Sequence, residues 1–329
     1  MLDKLQEDYV EVVSNLLVKK SALRWFKNID SLVLDIDGVI LDVTSSFRLA
    51  ISKTTQFYFE KILKWPGKAL LITPEETQLF KLVGGFNNDW ELTYAVVIFY
   101  LSKSDFLSSY NLNVLRKKGR SLQEFTDEIK RCGGGLKSAE KIALSGLKDK
   151  ERIKSLWNRN LIKQIFQEFY AGVDWCKKLY GFEPVYIKKK GLLNKEEVII
   201  DKKLVKQFYP KVSIITGRTK KEAEIALERA GFLDIVSFDK ILSDDGGIRK
   251  PNPKLLQELS NKMKTKVGIY IGDTPDDLEI VNNFKKLNQK EMFLSCIILQ
   301  NIEEAKRFIK EGVDILARKG NDVLAEIKS

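Results

Sequence analysis

The chain has 329 residues, of which 44% are hydrophobic and 31% are charged, and this balance predicts a globular protein with a buried core. Its formal net charge of +11 would suit nucleic acid or an anionic metabolite. The basic residues are scattered and rarely alternate with aromatic residues, so nucleic acid is not the partner we expect. The sequence has no histidine, which excludes Ser-His-Asp hydrolysis, Cys-His hydrolysis and histidine-bound metals.

Cysteine usage and hydropathy indicate the compartment. Cys132, Cys176 and Cys296 are widely spaced and odd in number, so neither a disulfide framework nor a zinc site is predicted. The longest strongly apolar stretch, residues 95–101, is much shorter than a membrane span, and the N-terminus lacks the basic-then-apolar order of a signal peptide. We therefore expect a cytoplasmic protein without a membrane partner.

The first expected elements along the chain are an N-terminal helix and a buried strand. Residues 2–26 carry apolar side chains at mixed three- and four-residue spacing, which is typical of an amphipathic helix, and we expect residues 1–28 to pack on the body of the protein. This segment is also the candidate for a homodimer contact. The branched apolar run "LVLDID", residues 32–37, then predicts a strand of a parallel sheet.

The rest of the chain falls into two parts. Residues 47–203 show long helical patterns, interrupted by the glycine-rich segments 83–90 and 132–138. After residue 203, short apolar runs alternate with helices, which predicts a parallel sheet covered on both faces. Because one strand precedes the helical block and several follow it, the block is interpreted as an insertion. The expected fold is α/β, a Rossmann-like parallel sheet built from residues 29–46 and 204–329, with a large all-α domain inserted.

Polar residues follow four of these segments in order. They are Asp35 and Asp37, then Thr216 and Gly217, then Lys250, and finally Asp273, Asp276 and Asp277. Each group alone is typical of an ordinary turn or helix start. Ligands of open parallel sheets bind beyond the carboxyl ends of the strands, so the four groups together predict one site.

This set of groups suits phosphoryl transfer. Carboxylate sites rich in oxygen prefer Mg²⁺, whose charge offsets phosphate oxygens, while a lysine and a threonine hydroxyl can hold the remaining oxygens. A carboxylate nucleophile forms an aspartyl-phosphate, and a second carboxylate protonates the leaving oxygen and then deprotonates water. Asp35 and Asp37 fit these roles, because residues two apart on an extended strand point to the same side.

The motifs "DIDGV", "SIITGR", "KPNP" and "GDTPDD" resemble, in this order, the four motifs of the haloacid dehalogenase (HAD) superfamily. A helical block placed after the first motif is similar to the inserted helical cap of its subfamily I. The resemblance implies a HAD core, Mg²⁺ as cofactor and an enzyme that hydrolyses phosphoric monoesters. Dehalogenating members lack a carboxylate at the position of Asp37, so dehalogenation is not expected.

The resemblance also implies a role for each motif residue. Asp35 is the implied nucleophile, and Asp37 is the implied general acid/base, with a backbone carbonyl that reaches the metal. The implied phosphate-binding residues are Thr216, Gly217 and Lys250, and the implied metal-binding residues are Asp35, Asp37, Asp273 and Asp277, the last acting through water or hydrogen bonds. Arg218 and Arg249 flank the phosphate-binding positions and are expected to be exposed charges.

The cap sequence "VGGFNNDW" is similar to that of a narrower group of cap-bearing phosphatases, some of which carry labels borrowed from histidine biosynthesis, including imidazoleglycerol-phosphate dehydratase. That dehydratase depends on histidine-rich metal sites, which a chain without histidine cannot supply. Asn87 and Asn88 are candidate substrate contacts, and Arg48 is expected to face the site entrance. Phe86 and Trp90 are expected in the core.

Three functional hypotheses follow from these residues. The first is a Mg²⁺-dependent phosphatase acting on a small phosphorylated metabolite through an aspartyl-phosphate. The second is a phosphomutase acting on a sugar phosphate, in which the phosphoryl group passes to another hydroxyl instead of to water. The third is a protein that keeps the fold without turnover and binds an anion or RNA. The first two use the same core residues, so only the cap separates them.

Overall fold

The computed structural model describes residues 8–86, 88–287, 291–299, 301 and 303–327. The chain divides into two compact units, Met1–Asp42 with Glu197–Ser329, and Val43–Glu196. The first is α/β and the second is helical, so the predicted fold class is confirmed. The unit borders lie at 42/43 and 196/197 instead of the predicted 46/47 and 203/204. At these borders the two-residue strands Leu41–Asp42 and Glu197–Val198 pair with each other inside the α/β unit. Strands that short leave no periodic signal in the sequence, so the borders could not be predicted from it.

The described residues form ten strands in two sheets. They are β1 (Tyr9–Val13), β2 (Leu16–Lys19), β3 (Ser31–Leu34), β4 (Leu41–Asp42), β5 (Glu197–Val198), β6 (Val212–Ile215), β7 (Ile241–Leu242), β8 (Val267–Gly272), β9 (Met292–Ile298) and β10 (Ile315–Ala317). The large sheet has the order β1-β2-β10-β9-β8-β3-β6-β7, and β4 pairs with β5 in the small one. Strands β3 and β6 to β10 run parallel, which is why their carboxyl ends share one edge.

Helices flank the strands of the α/β unit and make up the other unit. Those of the α/β unit are Leu23–Phe26, Lys202–Lys206, Lys220–Ala230, Lys254–Met263, Pro275–Leu287, Glu303–Lys310 and Gly320–Ile327. Those of the helical unit are Leu49–Phe57, Thr77–Lys81, Asp89–Leu107, Leu112–Lys117, Leu122–Arg131, Gly135–Ala143, Lys150–Leu156 and Arg159–Tyr180. Within the described ranges, none of these helices has the length and apolar character needed to cross a bilayer.

The middle of the large sheet is buried on both faces. Every residue of β3, β6 and β8 is buried, as expected for strands that read as continuous apolar runs. On one side, the Lys254–Met263 and Pro275–Leu287 helices pack against the strands through Leu256, Leu259 and Phe284. This rigid base fixes the loops that follow β3, β6 and β8.

The predicted N-terminal helix is wrong for the described part of residues 1–28. Strands β1 and β2 form an antiparallel hairpin there, and β2 pairs with β10 at the sheet edge. Only a short helical stretch, Lys20–Phe26, follows; residues 1–7 lie outside the described ranges. The segment "YVEVV" is rich in valine, which favours strands, and Asn15 adopts the left-handed conformation, φ 68°, in the connecting turn. Pairing with an available sheet edge outweighs the weak helical periodicity.

The two glycine-rich segments of the helical unit contact each other. The amide of Gly135 donates to the carbonyl of Gly84 at 3.0 Å. A Cβ on Gly85 would lie 2.9 Å from Gly135 N, and a Cβ on Gly134 would lie 2.8 Å from Gly84 O, so neither position has room for a side chain. The glycines therefore serve a backbone-to-backbone packing contact.

Candidate active site

The first predicted site residue follows β3 directly. Asp35 is 4% exposed, and its amide donates to Ile271 O at 2.9 Å, which continues the pairing of β3 with β8. Its Oδ1 accepts a hydrogen bond from the amide of Ile36 at 2.7 Å. Its Oδ2 is left to face other groups at the carboxyl edge of the sheet.

Lys250 joins two carboxylates at this edge. Its Nζ lies 2.6 Å from Asp35 Oδ2 and 2.7 Å from Asp277 Oδ1. All three side chains are almost completely buried, with 4%, 6% and 1% of the Lys250, Asp35 and Asp277 side chains exposed. Buried charges of this kind are stable only when they are paired and hydrogen-bonded, so Lys250 is what permits two carboxylates here.

Asp277 is saturated with hydrogen bonds. Its Oδ1 accepts from Lys250 and from the hydroxyl of Tyr270, each at 2.7 Å. Its Oδ2 accepts from the amides of Asp273 and Thr274 and from Thr274 Oγ1, at 3.1, 2.9 and 2.7 Å. Asp277 thus positions Lys250 and shapes the turn that presents Asp273. Tyr270 was missed from sequence; a hydroxyl inside a fully buried strand was the available signal, because such a group needs a partner.

Carboxylate oxygens of Asp35, Asp273 and Asp277 lie within 4.8 Å of one another. A glycine makes this possible, since a Cβ on Gly38 would lie only 2.3 Å from Asp273 Oδ2. Gly38 also has φ 73°, a conformation that side chains rarely adopt. The three buried carboxylates form a cluster of hard oxygen donors, which suits a divalent cation such as Mg²⁺.

The carboxylates of the cluster differ in how readily they ionise. Burial raises the pKa of Asp35 to about 7; Lys250 opposes this rise, and Asp277 and Asp37 add to it. Burial also opposes ionisation of Asp277, but the charge and hydrogen bond of Lys250 hold its pKa below the usual range. The two carboxylates, outweighing the effect of burial, keep the pKa of Lys250 well above its ordinary value. The site therefore pairs one firmly ionised carboxylate with one that a bound cation would help to ionise.

Asp37 has a partner that sequence reasoning did not predict. Arg218 donates to Asp37 Oδ1 through Nε at 2.9 Å and through Nη2 at 2.7 Å. Arg218 was expected to be an exposed charge, which is wrong, because only 1% of its side chain is exposed, against 24% of Asp37. Arg249 fits the expectation better: it pairs with Asp244 at 3.1 Å with 54% of its side chain exposed.

Thr216 and Gly217 lie at the same edge. Leu34 is opposite Ile214 in the parallel register of β3 and β6, so the two strands deliver Asp35 and Thr216 to neighbouring positions. Thr216 is 3% exposed, and its Oγ1 accepts a hydrogen bond from the amide of Arg218 at 3.2 Å. Within the part of the chain that the structure describes, this hydroxyl donates no hydrogen bond, so its proton can point toward a ligand.

The residues predicted to read substrate belong to the helical unit. Arg48 donates to Gln78 Oε1 at 2.7 Å. Asn88 is buried, and its Oδ1 accepts from the amide of Trp90 at 3.2 Å, which makes it the N-cap of the Asp89–Leu107 helix. Asn87 lies outside the described residues. Phe86 is buried, as expected, whereas Trp90 is only partly so.

The chain is similar to known proteins in sequence and in fold. Residues 29–284 match the family model described as haloacid dehalogenase-like hydrolase. Phosphatase Tt82 from Thermococcus thioreducens is similar in structure, with a TM-score of 0.54 and 23% identity over 85% of this chain and 99% of that one. That likeness concerns the fold.

A curated protein from Phytophthora nicotianae named imidazoleglycerol-phosphate dehydratase is 22% identical over 254 residues, which are 76% of this chain. The match spans only 40% of that relative's length.

Proposed function

The chain belongs to the haloacid dehalogenase-like hydrolases, and on that basis we propose that it is a Mg²⁺-dependent phosphatase acting on a small phosphorylated metabolite through an aspartyl-phosphate. The observation that carries the proposal is the buried cluster in which Lys250 lies between Asp35 and Asp277, beside Asp273. We further propose that the helical unit is a subfamily I cap and that "GGFNNDW" places the chain in a narrower group of cap-bearing phosphatases.

The three clustered carboxylates fit a magnesium ion. Asp35 and Asp273 would hold it directly, and Asp277, whose oxygens already accept five hydrogen bonds, would support it from behind. When bound, Mg²⁺ would offset the negative charge of the phosphate oxygens beside an anionic carboxylate.

The chain's own residues account for the two chemical steps. An oxygen of Asp35 forms a bond to phosphorus while the bond from phosphorus to the leaving oxygen breaks, and Asp37 gives that oxygen its proton. Asp37 then takes a proton from water, whose oxygen attacks the phosphorus and frees Asp35. Lys250, the Thr216 hydroxyl and the Gly217 amide hold the phosphate oxygens throughout.

Dehydratase chemistry is not proposed in spite of the name of the Phytophthora relative. The sequence has no histidine, and the buried cluster consists of carboxylates and a lysine. These groups suit the binding of phosphate oxygens and attack on phosphorus.

The test is a phosphate-release screen over phosphorylated metabolites, run with Mg²⁺ and with a chelator. We expect free phosphate from a subset of compounds, with release lost on chelation and restored by added Mg²⁺. An isomerised phosphosugar without free phosphate would instead support the mutase hypothesis. Turnover of no compound under any metal condition would contradict both enzymatic hypotheses.

The contact between Arg218 and Asp37 leads to a separate prediction. Two hydrogen bonds from a buried guanidinium to one oxygen of Asp37 fix the direction in which that carboxyl points. We expect Arg218→Met to lower kcat about 100-fold with little change in KM, because misplacing an acid/base group by about 1 Å has this effect. Steady-state kinetics on any substrate found in the screen measure it.

Two variants control this experiment. Arg218→Lys keeps the charge and one hydrogen bond, so its kcat should lie between those of Arg218→Met and wild type. Arg249→Met removes an arginine beside another motif residue, but one whose side chain is 54% exposed, and it should keep kcat close to wild type. A raised KM with kcat unchanged would indicate substrate binding by Arg218 in place of a positioning role.

A further inference from the structure

The helical unit contains a cavity of about 490 Å³. Its lining includes Lys103, Phe106, Leu107, Arg120, Cys132 and Ile142. All of these residues lie between Val43 and Glu196, whereas every residue of the carboxylate cluster belongs to the α/β unit. The cavity is large enough for a small organic molecule.

Lys103 is the unusual member of this lining. It lies on the Asp89–Leu107 helix, is 5% exposed, and has its ammonium over the rings of Phe99 and Tyr100, at 5.2 and 5.6 Å. Among the residues that the structure describes, it has neither a hydrogen bond nor a carboxylate partner. Asp105, on the same helix, is satisfied by Arg152 and by the amide of Lys148. An ammonium at a cavity wall that lies over aromatic rings and has no carboxylate within ion-pair distance, among the described residues, can receive the anionic group of a ligand.

The surroundings of Lys103 favour an anion further. Arg120 and Lys141 add positive charge to the cavity wall, and Glu128, which pairs with Arg120 at 2.9 Å, is the one acidic residue of the lining. Burial, followed by the charges of Arg116 and Arg120, lowers the pKa of Lys103 to about 8 against the smaller opposing effect of Glu124, so the ammonium is still largely protonated at neutral pH. The remaining lining offers apolar surface from Phe106, Leu107 and Ile142.

We propose that this cavity binds an organic anion, with its charged group at Lys103 and its apolar body against Phe106, Leu107 and Ile142. The inference goes beyond the proposed phosphatase activity, since it uses none of the residues proposed for catalysis. A compound with both an anionic group and an apolar body matches the lining, whereas an inorganic anion alone would leave the apolar wall uncovered.

The test is calorimetric titration of the full chain with hexane-1-sulfonate, which a phosphatase cannot hydrolyse. We expect saturable binding, weaker binding of inorganic sulfate, and at least about a tenfold loss of affinity in Lys103→Met, as for a lost charged hydrogen bond. Lys154→Met is the matched control, because Lys154 is a half-exposed lysine of the same unit. Equal affinities of Lys103→Met and wild type would overturn the proposal.

Cys132 allows the ligand to be located. It lines the cavity and is the exposed cysteine, while Cys176 and Cys296 are buried. Hexane-1-sulfonate should slow alkylation of Cys132 by iodoacetamide in wild type and in Asp35→Asn, but not in Lys103→Met. Absence of protection in wild type would overturn the proposal. Loss of binding in Asp35→Asn would also overturn the proposal, because it would place the ligand at the catalytic cluster. The binding and protection measurements do not depend on phosphatase activity, so a failed phosphatase assay would not affect them.

The charge of Lys103 should lower the stability of the ligand-free protein, and the size of this effect should depend on pH. The charged groups that face Lys103 are Arg116, Arg120, Glu124, Glu128 and Lys141. Below pH 8 the lysine is charged in both the folded and unfolded states, so Lys103→Met should raise the Tm of the ligand-free protein by about 2–6 °C. Between pH 8 and 10.5 the folded state loses this proton first, and the gain should shrink. Thermal scans at pH 7 and 10 measure it, and a lower Tm of Lys103→Met at pH 7 would contradict an uncompensated buried charge.

Discussion

Asp35→Asn is expected to lower kcat for phosphate release by roughly 10⁴-fold or more, since loss of a nucleophile removes the covalent route altogether. The carboxylate that we propose to attack phosphorus becomes a carboxamide of nearly the same shape. Asp35 Oδ2 lies 2.6 Å from Lys250, so the substitution also removes one of the two ion pairs of that lysine. Steady-state phosphate release at saturating Mg²⁺ gives kcat for both proteins.

The control for this variant is Asp239→Asn, which makes the same chemical change at an exposed position of the α/β unit and should leave kcat unchanged. Circular dichroism and the Tm of Asp35→Asn should remain close to wild type, because Lys250 still has Asp277 as a partner. A folded Asp35→Asn protein with more than about a hundredth of wild-type kcat would show that another group attacks phosphorus.

The positions of Asp35, Thr216 and Asp273 could be predicted because each directly follows a strand that the sequence marks clearly. Strands β3, β6 and β8 are short apolar runs, buried along their whole length, and parallel strands deliver the residues that follow them to one edge. Strand position alone therefore predicted that Asp35, Thr216 and Asp273 would lie together. The hydrogen bonds that saturate Asp277 depend on distances within the folded turn, which no spacing rule supplies.

Arg218 and the N-terminal hairpin were mispredicted for related reasons. An arginine next to a strand end is usually solvated, and only the folded position of Asp37 gives Arg218 a buried partner. Residues 9–19 carry a mixed pattern that fits a helix or two short strands, and the free edge of β10 decides in favour of strands. In both cases tertiary contacts decide between two local alternatives.

Lys103 was beyond prediction for a different reason. A lysine four residues before the end of an apolar helix suggests a solvated helix terminus. Its burial results from the packing of the Asp89–Leu107 helix against the Gly135–Ala143 helix and from the position of Arg120 over Phe99. A cavity wall has no local sequence pattern, because its members come from several elements that meet only after folding.

Lys250→Met is expected to destabilise the α/β unit by about 3–5 kcal/mol, the usual effect of removing one partner from a buried ion pair. The substitution keeps the apolar stem but leaves Asp35 and Asp277 facing each other without a cation, with their side chains only 6% and 1% exposed. Because the chain has two units, global unfolding need not be two-state. Urea-dependent hydrogen exchange of the amides of β3 and β8 reports the affected unit directly.

Magnesium makes this prediction diagnostic of the metal site as well as of the lysine. A divalent cation held by Asp35 and Asp273 would restore positive charge beside the two carboxylates, so saturating Mg²⁺ should stabilise Lys250→Met by more than it stabilises wild type. Lys254→Met, which removes an exposed lysine from the following helix, should show neither the loss of protection nor the larger response. If Mg²⁺ stabilised Lys250→Met no more than wild type, the lysine and the cation would not act on the same carboxylates. The proposal that Lys250 and Mg²⁺ both supply positive charge beside these carboxylates would then be wrong, even if Asp35→Asn were inactive.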